Sequence, residues 1–97
     1  MATAMVMRFE GITPDIYDAA CEKIGWERDP APGGLFHAAW FDGGALHVVD
    51  IWESPEHFQR FTAERLAPGL AEMGVTQQPE VSFHEVHRLF QPAPLPA

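Results

Sequence analysis

Residues 45–58, ALHVVDIWESPEHF, constrain the fold of this chain more than any other stretch, because they spell a strand, a helix cap and a helix with no room for a loop between them. Leu46, Val48, Asp50 and Trp52 alternate with His47, Val49 and Ile51, a period of two carried by β-branched and aromatic residues that marks a strand. Ser54 then occupies an N-cap position, Pro55 the first helical position, and Glu56 the first turn, where its charge suits the positive end of the helix dipole. The segment holds no nucleophile motif, metal cage or phosphate loop, so it speaks for the fold before it speaks for a reaction.

The same grammar recurs upstream. Met5, Met7 and Phe9 alternate with Val6, Arg8 and Glu10 as a first strand over 5–10. Thr13-Pro14-Asp15 repeats the cap, proline and acid, Tyr17, Ala20, Cys21 and Ile24 follow at helical spacing, and Gly25 ends the helix. Residues 26–34 form the longest irregular connection. A second strand runs over 35–41, and Asp42-Gly43-Gly44 is a hairpin turn into the strand of the opening segment. The second helix runs from Pro55 to about Arg65 with Phe58, Phe61 and Leu66 on one side, Pro68 kinks or restarts it, and the apolar face continues to Gly74. A last strand is expected over 81–90, and residues 91–97 read as a proline-rich tail.

Ninety-seven residues make one domain, expected over 1–90, of a size at which a partner subunit helps to bury surface. The net charge of −8 and the scattered basic residues argue against nucleic acid and against an anionic membrane surface. No apolar run nears the ~20 residues of a bilayer span. The N-terminal residues lack the pattern of a signal peptide, and the lone Cys21, expected to be a buried thiol, cannot form an internal disulfide. The expectation is a cytoplasmic protein.

Strand, helix, strand, strand, helix, strand is the α+β ferredoxin-like order, βαββαβ, with two helices on one face of a four-stranded antiparallel sheet. Strands carrying large apolar groups on both faces, Phe36 and Trp40 opposite Leu35 and Phe41, call for cover on both sides. A homodimer with sheet against sheet is therefore expected. At this point the chain resembles the dimeric α/β-barrel proteins, and among them the antibiotic-biosynthesis-monooxygenase-like domains, through element order, length and the segment 50–58, DIWESPEHF. The resemblance implies a pocket between helices and sheet, and it admits cofactor-free oxygenases, haem-degrading enzymes, cyclases and small proteins of no assigned reaction. In haem-degrading members a Trp-Glu-Ser segment sets its tryptophan against the ligand, which carries over to Trp52. Their iron-binding helix histidine has no counterpart around Thr62-Ala63-Glu64, so haem chemistry of that type is not expected.

Counting from the hairpin pairs Phe41 with Leu46, Ala39 with Val48, His37 with Asp50 and Leu35 with Trp52 on one face. A carboxylate opposite an imidazole fixes its tautomer and stabilises its cation, so His37 and Asp50 are the candidate base and its partner. The same pair would also arise from two buried polar groups that merely satisfy each other. Trp52 offers a wall for an aromatic ring and Tyr17 a hydroxyl at the cavity, or at its rim as a core residue. Arg8 either pairs with Glu10, Glu85 or Asp50 or anchors an anionic substrate. His47 falls opposite Trp40 on the other face, suited to an interface, and His84 and His87 point to opposite faces of the last strand. No histidine, cysteine and acid cluster has the spacing of a zinc site, so neither a metal nor a cofactor is expected. Together with the resemblance, these residues imply a cofactor-independent monooxygenase or related enzyme on a small aromatic or quinone-like metabolite. A non-catalytic dimeric protein that binds a small apolar ligand or serves an accessory role is the alternative.

Overall fold

The computed structural model describes residues 1–92. Its elements are β1 (Thr3–Glu10), α1 (Pro14–Ile24), β2 (Gly34–Asp42), β3 (Ala45–Trp52), α2 (Pro55–Phe61), a π-helical turn (Thr62–Leu66), α3 (Ala67–Glu72) and β4 (Glu80–Glu85). The strands form one antiparallel sheet in the order β2-β3-β1-β4, which is the ferredoxin-like arrangement. The helices cover one face. Met5, Met7 and Phe9 of β1 and Leu46, Val48 and Trp52 of β3 are buried there with Ile12 and Phe58, so the two alternating strands supply the core that their period implied.

Local chemistry sets the element ends. Thr13 accepts a hydrogen bond from the Ile16 N–H, Pro14 opens α1, and Gly25 closes it at φ 77°, its N–H donated to the Cys21 carbonyl. Ser54 accepts from the His57 N–H at the start of α2. Gly43 and Gly44 both have positive φ, 61° and 75°, which the tightest hairpin turn requires.

The expected restart at Pro68 takes a particular form, and three other expectations change. Proline at 68 has no N–H to donate and its ring would collide with the carbonyl of Glu64 in a regular helix. The chain widens into a π-turn one step earlier, the Ala67 N–H reaching back to the Thr62 carbonyl, and then resumes as α3. The last strand stops at Glu85 rather than residue 90, because β1 is its only partner: Glu85 already faces Thr3, and after the Val86 N–H bonds the Ala2 carbonyl no strand remains to pair with. β2 carries an irregularity between Gly34 and Phe36, so that Gly34, not Leu35, stands opposite Trp52. Cys21 is half-buried rather than buried, with burial and the nearby Glu27 pushing its thiol pKa up.

On the face away from the helices, Trp40 stacks on His47 with ring centroids 5.5 Å apart. Val6, Phe36 and Trp40 are 42 %, 49 % and 48 % exposed. Gln91 crosses to the opposite edge of the sheet, where its amide donates to the Leu35 carbonyl; residues 93–97 of the expected tail lie outside the described residues. Among the described residues no helix is long and apolar enough to cross a membrane.

Candidate functional site

Between helices and sheet lies a cavity of about 220 Å³, walled by apolar side chains such as Met7, Val48, Phe58, Phe61 and Leu70. Its polar groups converge at one place. The tight hairpin fixes the β2–β3 register, and the bulge near Leu35 lies beyond His37, so His37 and Asp50 remain directly paired. The His37 Nδ1 is 2.6 Å from Asp50 Oδ1. Asp50 is 7 % exposed and takes a second hydrogen bond, from the Trp52 indole N–H to Oδ2 at 3.1 Å. Residues 50 and 52 share a face because a strand repeats every second residue.

From above, α1 brings Tyr17 down so that its hydroxyl lies 2.7 Å from His37 Nε2. The two rings are nearly parallel, at 2° with centroids 6.2 Å apart. An ionised carboxylate can only accept, so the Nδ1 facing Asp50 carries the ring proton and Nε2 accepts from the Tyr17 O–H. The result is a line of hydrogen bonds, Tyr17 to His37 to Asp50, with Trp52 holding the far oxygen. Burial pushes the Tyr17 pKa up to about 12, and the charges of Cys21, Glu27, Asp50 and Asp18 push the same way. Tyr17 is therefore a phenol at neutral pH.

The structure thus brings together four of the five residues expected at a site. Arg8 is not among them. It stands opposite His47 in the β1–β3 register, on the sheet face away from the cavity, where it pairs with Glu10 at 2.8 Å and Glu80 at 3.7 Å. Trp52 does more than present a flat wall: its N–H orients Asp50, and its ring packs against Phe58 and Phe61, each at 5.7 Å.

Trp26 was not visible as a site residue. It lies edge-on to both Tyr17 and His37, 5.8 Å from each, and lines the cavity. Its segment lacks periodicity, and the one available signal was an aromatic residue directly after the Gly25 helix stop. The segment is pinned by Arg65, whose guanidinium donates to the Ile24 and Asp29 carbonyls and lies over the Phe61 ring.

Three of the other histidines have separate partners: His47 lies near the Asp42 carbonyl, His57 Nδ1 is 2.7 Å from the Ser54 hydroxyl, and His84 bonds with Ser82. Among the described residues no three histidine, cysteine or acidic side chains gather as a metal site would need.

No protein-family model matches this chain, and no curated protein matches it. Solved structures do. SnoaB of Streptomyces nogalater, a cofactor-independent oxygenase, superposes with a TM-score of 0.68 at 14 % identity, over 91 % of this chain and 95 % of that one. The same fold is found in putative antibiotic biosynthesis monooxygenases of Caulobacter crescentus and Chloroflexus aurantiacus, at 16 % and 14 % identity. Other structures of this fold carry no stated activity. NE2512 of Nitrosomonas europaea, of unknown function, has a TM-score of 0.69 at 18 % identity over 95 % of each chain. Rv0793 of Mycobacterium tuberculosis has 0.67 at 15 % identity, over 94 % of this chain and 100 % of that one. At such identities the likeness is one of fold, and function has to be argued from the site.

Proposed function

We propose that this chain is a cofactor-independent monooxygenase that oxidises a small hydroxyaromatic or quinone-like metabolite with dioxygen. The observation that carries the reading is the His37–Asp50 pair, 2.6 Å apart, on the wall of an otherwise apolar cavity. A neutral imidazole backed by a carboxylate is a base whose cation is stabilised when it takes a proton, and the apolar surroundings strengthen that attraction. At about 220 Å³ the cavity falls below the ~300–1,000 Å³ of sites for drug-sized ligands, which favours one or two fused rings over a larger polycycle.

The reaction starts with loss of a substrate proton to the His37 network, leaving a carbanion delocalised over the ring system. The carbanion gives one electron to dioxygen, the radical pair joins as a peroxide, and the imidazolium returns the proton to it. Loss of water then leaves a carbonyl, so one ring CH₂ and one O₂ become C=O and H₂O. SnoaB, with the same fold, is a cofactor-independent oxygenase, which supports the reaction class. The unit we propose is a homodimer joined through the open sheet face.

Oxygen uptake with hydroxylated bicyclic ketones tests the reading, with tricyclic hydroxyanthrones as the larger comparison expected to react more slowly. His37→Ala should slow consumption by about 10²–10⁴-fold, the usual contribution of a positioned acid or base, and unchanged turnover removes His37 from the mechanism. A second reading, a ligand-binding or accessory protein, is favoured by the closure of the network: both ring nitrogens of His37 and both oxygens of Asp50 already have partners within the protein. Ligands that raise the melting temperature while no oxygen is consumed would decide for it, as would an Asp50→Asn change that weakens affinity.

A further inference from the structure

His37 has no nitrogen left for a substrate. Nδ1 is held by Asp50 at 2.6 Å and Nε2 by the Tyr17 hydroxyl at 2.7 Å, while Trp26 lies edge-on across the ring at 5.8 Å. A direct attack of His37 on a substrate proton would first require Tyr17 to leave. Tyr17, by contrast, lines the cavity and has accepting capacity to spare, because a phenol that donates its one proton keeps lone pairs on its oxygen.

We propose that Tyr17 is the catalytic group that touches the substrate, and that His37 and Asp50 act through it as a proton store. The proposal rests on the monooxygenase reading and adds the path by which the substrate proton leaves. The substrate hydroxyl donates to the Tyr17 oxygen. When its proton moves there, the Tyr17 proton moves along the existing hydrogen bond to His37 Nε2. The substrate is left as an oxyanion, Tyr17 is again a phenol, and the imidazolium stands beside the Asp50 carboxylate. One proton has been displaced and none is lost. The substrate class follows: the group that enters must carry an acidic ring hydroxyl, a phenol, naphthol or enolised ketone, since Tyr17 offers a hydroxyl oxygen and not a charge. A carboxylate or phosphate ligand finds no cation in the relay.

Binding of 1-naphthol to the purified protein tests this directly, because the naphtholate absorbs apart from the neutral form and its fraction can be followed against pH. In the wild-type protein, bound naphthol should ionise at a lower pH than free naphthol. Both Tyr17→Phe and His37→Ala should shift the ionisation midpoint of bound naphthol upward by at least one pH unit, a tenfold change in the ionised fraction. Tyr17→Phe should in addition lower kcat by more than it raises KM. If Tyr17→Phe ionises naphthol as the wild type does while His37→Ala does not, His37 is the direct base and the relay is wrong, although the oxygenase reading survives. If neither change moves the midpoint, or if naphthol stays neutral in the wild type, the relay fails; oxygen uptake by the wild type on its own substrates then shows separately whether the oxygenase reading fails with it.

Discussion

Two oxygens of Asp50 hold two donors, the His37 Nδ1–H and the Trp52 indole N–H, at a position 7 % exposed. Hydrogen bonds to a charged acceptor are worth about 1.5–3 kcal/mol each, and an amide keeps one acceptor and adds a donor facing donors. Asp50→Asn should therefore lower unfolding stability by about 1.5–3 kcal/mol in chemical denaturation. Tyr17 gives a cleaner spectroscopic reading, since it is the chain's only tyrosine. Its phenolate absorbance should titrate near pH 12, above the ordinary value of 10.0, because burial disfavours the charged form. The folded-state pKa is raised, so the stability this adds is complete below pH 10 and lost as the pH rises through about 12. The stability difference between wild type and Tyr17→Phe should be level below pH 10 and fall above it. The His37–Asp50 pair was legible in the sequence because a turn of two glycines fixes register by counting. The Tyr17–His37 bond was not, since helical spacing says which face of a helix is apolar and nothing of where along a sheet that face comes to rest.

Among the elements, the helical layer shows how close packing and a proline shape a chain together. Gly69 in α3 sits where an added Cβ would meet Ile24 Cγ1 of α1 at 2.5 Å, so the two helices approach only because residue 69 has no side chain. Gly69→Ala gains roughly 1 kcal/mol of helix propensity against about 1–3 kcal/mol of overpacking, and a lower melting temperature is expected. Arg65, turned by the π-helical segment, satisfies the last carbonyl of α1 and the Asp29 carbonyl of the following loop. Arg65→Met should leave the strands as protected as before and speed amide hydrogen exchange at Asp29, whose N–H bonds the Gly25 carbonyl. The end of β4 carries the same lesson. The alternation through residue 90 is real in the sequence, but a strand needs a neighbour, and β1 ends first.

At the scale of the molecule, one face of the sheet is sealed by helices, while the other exposes Val6 and the Trp40–His47 stack. For the homodimer proposed above, Trp40→Asp should yield a monomer in sedimentation with an unchanged far-UV spectrum; a dimer that survives the change has its interface elsewhere. The sequence by itself determined the order of strands and helices, the caps at Thr13 and Ser54, the hairpin, and with it the pairing of His37 with Asp50, because each of these is a local matter of period, dihedral preference and counting. Only the tertiary structure decided that Tyr17 would close on His37, that Trp26 would lie across the ring, that Trp52 would hold the carboxylate, and that Arg8 would face away with Glu10 and Glu80. Those contacts join segments far apart in the chain, and they are settled by how a helical layer seats on a twisted sheet, which no short window of residues encodes.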